Sequence, residues 1–253
     1  MNVFTSQPPV VEPAACTRTL LQQGFAVLDA QGVRSLSGCA ENALHELGQT
    51  WADLPPDRYL KDGGHYRRRR HASYVLEQGH LRQVPHRAHW QPLEYNALHG
   101  GMQRWFEPVL PSVAEQSDWQ QLLVWTGSVC SALKGVQTWF IEAHQFRIDT
   151  TDGIGRPTPE GAHRDGVDMV AVFMVNRQGI KGGESRVFEA DGPQGQRFTL
   201  AQPWSVLLLD DARVIHESTP IQPLVPERAS PLACFRDTLV VTLRAHGFQD
   251  DAA

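Results

Sequence analysis

A histidine and an aspartate two residues apart are the first feature of this chain that could do chemistry. In Pro159-Glu160-Gly161-Ala162-His163-Arg164-Asp165-Gly166, an extended backbone turns His163 and Asp165 to one side, so an imidazole and a carboxylate converge. Chance alone nearly supplies such a pair in a chain with 11 histidines, so its weight comes from its surroundings. It follows Gly and Pro turn residues and precedes an apolar run, Val167 to Val175, as ligands at the mouth of a barrel would. His216 comes 51 residues after Asp165, beyond the polar turn Asp210-Asp211, where a strand can carry it across to the same point. Two imidazoles and one carboxylate suit Fe(II) and leave three adjacent positions open. Zinc in such a site would normally serve hydrolysis.

Arg236-Asp237-Thr238, 20 residues past His216, offers an anion anchor. A guanidinium fork beside a hydroxyl suits the far carboxylate of a dicarboxylate that chelates the metal through its other end. Arg228 and Arg244 are rivals for that role.

The elements that must position these residues change character along the chain. Apolar residues at helical spacing predict helices over Val33 to Leu47, Leu93 to Val109 and Trp119 to Val136. From Trp139 the segments are short, β-branched or aromatic: Phe140 to Ile148, Val167 to Val175, Ser185 to Glu189, Ser205 to Leu209, Arg213 to Ser218 and Thr238 to Leu243. Gly- and Pro-rich turns separate them. The expectation is a mainly β fold, a sandwich or barrel, with flanking helices over one face. One domain over 16–249 is expected, helical to about residue 138 and β from about 139 to 246, behind a loose leader, 1–15.

A hydrophobic content of 41% with net charge -5 describes a chain that buries a core and has no global attraction for nucleic acid or anionic membrane. No apolar run is long enough to span a bilayer, and the N-terminus lacks a secretion signal. Cys16, Cys39, Cys130 and Cys234 are scattered, which fits buried free thiols in a cytoplasmic protein.

Taken together, His144-Gln145-Phe146-Arg147, the segment 159–167, Gly182-Gly183-Glu184-Ser185, Asp210-Asp211 with His216, and Arg236-Asp237-Thr238 resemble the 2-oxoglutarate/Fe(II) dioxygenase superfamily. More specifically, they resemble the branch of bacterial free L-amino acid dioxygenases typified by L-isoleucine 4-hydroxylase, with the BsmA-like proteins. That resemblance implies a double-stranded β-helix (jelly roll, cupin-like). It also implies Fe(II), 2-oxoglutarate and O2 as cofactors, ascorbate to sustain activity, and hydroxylation or sulfoxidation of an amino acid-like small molecule with release of succinate and CO2. Many superfamily members place the Arg about ten residues after the distal His. The doubled gap here is accommodated if Pro223 to Ala233 loops out, leaving Arg236 and Thr238 as the 2-oxoglutarate contacts.

Further residues could touch substrate or co-substrate. Strand alternation groups Gln145 with Arg147, on the face opposite His144 and Phe146. In Tyr66-Arg67-Arg68-Arg69-Arg70-His71, either Arg68 and Arg70 or Arg67 and Arg69 face inward, and one Arg could pair with an α-carboxylate. Glu160 lies close enough to the metal motif to reach substrate, and Asp168 is expected to order the same turn. His86 and His89 read as surface residues rather than a second metal site. The alternatives are a cupin-type enzyme without 2-oxoglutarate and a non-catalytic sensor that keeps the fold. The oligomeric state is open, a homodimer included.

Overall fold

The computed structural model describes residues 7–225 and 233–252. Five helices, α1 (Cys16–Gln23), α2 (Ala30–Ser37), α3 (Glu41–Gln49), α4 (Pro111–Ala114) and α5 (Ser117–Lys134), lie against a large antiparallel sheet. That sheet runs β1-β9-β5-β12-β4-β2-β3, from β1 (Phe25–Leu28), β9 (Val206–Asp210) and β5 (Met169–Gln178) through β12 (Phe235–Arg244) and β4 (Trp139–Asp149) to β2 (Arg67–Glu77) and β3 (His80–Gln83). A smaller sheet, β10 (Val214–Ser218), β7 (Ser185–Glu189) and β8 (Gly195–Phe198), and a pair, β11 (Ile221–Pro223) with β6 (Ile180–Gly182), form the opposing layer. This is a jelly roll with helices on the outer face of its large sheet, the fold class that the sequence implied.

Alternation builds two cores from the same strands. Trp139, Ile141 and Ala143 of β4 and Leu239, Val241 and Leu243 of β12 face the helices, where they meet Leu20, Leu44, Trp119 and Leu122. Val170 and Met174 of β5 face inward and meet Phe198, Val187, Leu207 and Val214 between the sheets. Burial of these side chains, at about 1.5–3 kcal/mol each, holds the layers together.

Several expected elements differ. The single helix over Val33 to Leu47 is two, because Gly38 takes a left-handed φ of 78° and caps α2. Leu93 to Val109 is irregular, tied at its ends by the His89–Arg104 bridge and by Val109 N donating to His71 O. The half expected to be helical also contains β1, β2 and β3. Residues from Val10 onward, expected within the leader, join the fold. Val11 N donates to Val27 O at 2.9 Å, and Pro13–Ala15 forms a 3-10 turn.

Candidate metal and co-substrate site

The segment 163–167 crosses the open end of the roll and is fastened from three sides. His163 and His216 exchange backbone hydrogen bonds, His163 N to His216 O at 3.0 Å and His216 N to His163 O at 2.9 Å. Asp211 accepts from the backbone N–H groups of Asp165 (3.0 Å), Gly166 (2.8 Å) and Val167 (3.1 Å). Gln249 donates to the carbonyls of Asp165 and Gly166. The chain can turn so sharply because Gly166 has φ of 74°, and a Cβ there would lie 2.3 Å from the Tyr95 ring.

His163, Asp165 and His216 consequently converge. His163 Nε2 and His216 Nε2 each stand 3.8 Å from a different oxygen of Asp165, and the two rings are 4.7 Å apart. His163 Nδ1 donates to Gly161 O at 2.9 Å, an assignment that leaves Nε2 as the free lone pair facing the carboxylate. Gln91 Nε2 donates to Asp165 Oδ1 at 3.1 Å. Burial works against a charge on His163, but Asp165 and Glu160 outweigh it and hold its pKa above the ordinary value. Burial and then His163 push His216 down to about 3. Burial and the charge of Asp165 raise Asp211. A place where one ring wants a cation and two carboxylates repel each other is electrostatically suited to a divalent ion.

β12 supplies the opposite wall. Arg236, Thr238, Val240 and Thr242 alternate into the cavity that the triad also lines. Arg236 is 3% exposed, lies within ion-pair distance of no carboxylate among the described residues, and its Nε has no hydrogen-bond partner there. Its one side-chain hydrogen-bond partner among the described residues is Ser218 Oγ, at 3.5 Å. Burial, with Arg177 nearby, pushes its pKa down to about 10, so it remains a cation at neutral pH. Gly183, at a left-handed φ of 67°, packs beside the Arg236 side chain. Of the rivals, Arg244 is occupied by the carbonyls of Gly247 and Phe248 and lines a separate cavity. Arg228 lies outside the described residues.

The remaining candidates separate by strand phase. On β2 it is Arg67 and Arg69 that line the cavity, not Arg68 and Arg70. Arg68 pairs with Asp149, and Arg70 donates to Pro108 O. On β4 the inward residues are Glu142, His144, Phe146 and Ile148. Gln145 donates to Thr50 on the helix side and Arg147 grips Asp237 through two bonds, so the pair expected at the co-substrate is turned away from it. Glu160 is in the cavity, with Oε1 at 3.5 Å from His163 Nε2 and Oε2 buried without a partner among the described residues. Asp168 accepts from Ala245 N, while Asp211 holds the turn that Asp168 was expected to order. His89 is buried in the cavity wall, contrary to its surface reading, whereas His86 packs its ring edge on Trp105. Residues not anticipated are Gln91, Arg104, Glu142 and His144, which line the same space.

The model of the 2OG-Fe dioxygenase family matches residues 48–242, most of the chain and all three converging side chains. The chain belongs to that family. The dioxygenase is 52% identical to a BsmA homolog from Methylobium petroleophilum PM1, with 98% of each chain covered and a TM-score of 0.89. It shares its fold with IDO from Bacillus thuringiensis at 16% identity, with 96% of this chain and 99% of the other covered and a TM-score of 0.74. The Fe(II)/α-ketoglutarate-dependent dioxygenase TqaL is similar at 17% identity, with 94% and 89% covered and a TM-score of 0.70. No curated protein matches the chain in sequence. Membership implies Fe(II), 2-oxoglutarate and O2 as cofactors, and the donors present fit them. Two imidazole nitrogens and a carboxylate converge without filling a coordination sphere, and a buried guanidinium in the same cavity lacks a carboxylate among the described residues. Among the described residues no helix is long and apolar enough to cross a membrane.

Proposed function

We propose that this dioxygenase oxidises a free L-amino acid or a close analogue, by hydroxylation or sulfoxidation, through one catalytic domain spanning about residues 16–249. His163, Asp165 and His216 would hold the iron, and Arg236 with Thr238 would take the far carboxylate of 2-oxoglutarate. Bound there, iron and 2-oxoglutarate supply the activation of oxygen needed to oxidise an unreactive bond. The observation that carries this reading is the uncompensated Arg236, a buried cation aimed into the cavity of a two-histidine, one-carboxylate cluster. A buried charge without a partner costs several kcal/mol, which an incoming carboxylate offsets.

The protein's share is positioning. Asp211, Gln91 and Gln249 keep Asp165 and its turn in place, so the ligands need not reorganise when the metal enters. Substrate class is read from the charges left over. Among the described residues Arg67 shares Asp57 with Arg69 yet keeps Nη2 unpaired, and Arg104 donates to Gln91 Oε1, lies over the Phe106 ring and keeps Nε unpaired. Glu160, also unpaired through Oε2, lies beside the metal cluster. Unpaired guanidinium donors and an unpaired carboxylate in one cavity suit a zwitterion, its α-carboxylate at Arg67 or Arg104 and its ammonium at Glu160.

The test is a panel of free amino acids incubated with Fe(II), 2-oxoglutarate, ascorbate and air, read for succinate and for a product one oxygen heavier. Turnover of at least one, with succinate and product in equal amounts, is expected. Succinate formed without any oxidised amino acid would move the substrate to a peptide or another metabolite.

A further inference from the structure

Apart from the metal cluster and the arginines, two histidines line the cavity, His144 of β4 and His89 of the loop after β3, their rings edge-on at 4.8 Å. Each ring has one nitrogen held by a neighbour that settles where its proton lies. Arg69 Nη2 is 2.7 Å from His144 Nδ1. A guanidinium only donates, so Nδ1 is the lone pair and the neutral ring carries its proton on Nε2. Glu142 Oε1 accepts from His89 Nδ1 at 3.0 Å and from His71 Nε2 at 2.9 Å, because a carboxylate only accepts. The lone pair of His89 therefore falls on Nε2. Burial keeps both cavity rings neutral, lowering His144 and pushing His89 down to about 4. Arg69 is itself fixed, with Phe106 at 3.6 Å on one side, Phe146 at 4.2 Å, and Asp57 within ion-pair distance. His144 Nε2 and His89 Nε2 have no hydrogen-bond partner among the described residues. His71 is wholly enclosed, whereas His89 and His144 keep 6% and 3% of their surface open where they line the cavity.

We propose that His144 and His89 act as a donor–acceptor pair that selects an amino acid whose side chain carries a primary carboxamide or a hydroxyl. This rests on the amino acid reading above and narrows it. Such a group accepts from His144 Nε2–H and donates to His89 Nε2 at once. An aliphatic side chain of the same size leaves both nitrogens unpaired in a site it has emptied of water, and a site built to hydrogen-bond rejects such an isostere strongly. A carboxylate satisfies His144 but brings a second acceptor to the lone pair of His89. An ammonium satisfies His89 but cannot accept from His144. The competing arrangement is an aliphatic side chain laid on Phe146, Val172 and Val240, which line the same cavity. Against it stands the locking of both tautomers by buried charges, Arg69 behind one ring and Glu142 behind the other.

The experiment pairs nitrogen-15 NMR of the histidine rings with competition between isosteric amino acids. In protein holding 2-oxoglutarate and Zn(II) in place of iron, His144 should carry its proton on Nε2 and His89 on Nδ1. The two other resonances of interest, His144 Nε2 and His89 Nε2, should shift on titration with asparagine or threonine and stay put with leucine or valine. In turnover with Fe(II), kcat/KM should favour asparagine over leucine, or threonine over valine, by about 10- to 100-fold. His144→Phe, which keeps the ring and loses the N–H, should bring that ratio close to one. Reversed tautomers, leucine and valine used as well as their polar isosteres, or aspartate preferred to asparagine would each overturn the proposal. If no amino acid is oxidised, the amino acid reading fails by itself: ring nitrogens that still answer asparagine or threonine retain the pair, and ring nitrogens that answer neither overturn it. If His144→Phe does not fold, the wild-type tautomers and ratios decide.

Discussion

Arg236 brings its charge into the cavity with no carboxylate to meet it among the described residues, so substitution there tests the proposed co-substrate anchor. Arg236→Ala should raise the KM for 2-oxoglutarate roughly 10- to 100-fold, as expected for loss of a charge-assisted pair of about 1.5–3 kcal/mol. It should also weaken the visible charge-transfer band formed anaerobically with Fe(II) and 2-oxoglutarate, and a full-strength band would reassign the anchor. Arg67→Met tests the other end of the cavity. Its KM for the amino acid should rise by a similar factor while the anaerobic band stays intact, a split that a general folding defect would not produce. Asp211→Ala should lower iron affinity roughly 10- to 100-fold, since Asp211 alone ties three backbone amides of the ligand turn. Equilibrium dialysis against Fe(II) would check it. At this scale the sequence was informative where chemistry is concentrated in a few residues. The convergence of His163, Asp165 and His216, and the position of Arg236 in the same cavity, could be anticipated from residue type and from the surrounding segments rather than from spacing alone. Asp211 was visible only as a turn residue, and Gln91 carried no signal, because its role depends on a loop packed against a strand far away in the chain.

Strand phase decides which residues of an element reach the cavity, and here a readable signal was passed over. Trp139, Ile141 and Ala143 mark the helix-facing side of β4, and continuing their parity puts Gln145 and Arg147 on that same side. Ala72, Tyr74 and Leu76 likewise fix the phase of β2 and send Arg68 and Arg70 outward. The phase is obscured because the inner face of these strands lines a polar cavity, so hydrophobic-in, polar-out fails locally. The strands β5, β7 and β9 read more easily, since their inward residues fill the apolar core between the sheets. The helix expected over Leu93 to Val109 failed for a related reason. That stretch is fixed by polar anchors, Gln91, Asn96 and Arg104, which no helical periodicity describes. Gly166→Ala belongs to this scale. It forces a β-carbon onto a backbone of φ 74° and into the Tyr95 ring. Melting should show a loss of at least about 1 kcal/mol. Adding Tyr95→Ala should recover the part due to the ring contact and leave the backbone part.

Acidity acts on the whole molecule through its buried histidines. Burial lowers His71 and His144 and pushes His89 down to about 4, with Glu142 opposing the shift at His71 and His89. Unfolded, each would titrate near about 6.5. The neutral rings therefore contribute stability that is complete above that pH and lost as the pH falls toward 4. Glu142, held well below the usual carboxylate range by its two imidazoles despite burial, adds a loss at lower pH still. His163, whose pKa is raised, has the opposite sign, as do the buried carboxyls of Asp211 and Asp237, while His99 and His216, both lowered, add to the loss. In chelator-stripped protein the melting temperature should fall steadily from pH 7 to pH 5. His89 alone contributes on the order of 3 kcal/mol when fully protonated, and His89→Gln should flatten the slope. A melting temperature that rose on acidification would show that the rings are not neutral in the fold. The alternation of β12 has a consequence for descent. Arg236, Thr238, Val240 and Thr242 face the cavity, and Leu239, Val241 and Leu243 fill the helical side. Such a strand behaves like a reading frame: letters can drift within each parity class, but one inserted or deleted residue exchanges the classes. Lineages of this protein should therefore vary in composition along 236–243 while keeping its length, and should place their insertions in the turns on either side.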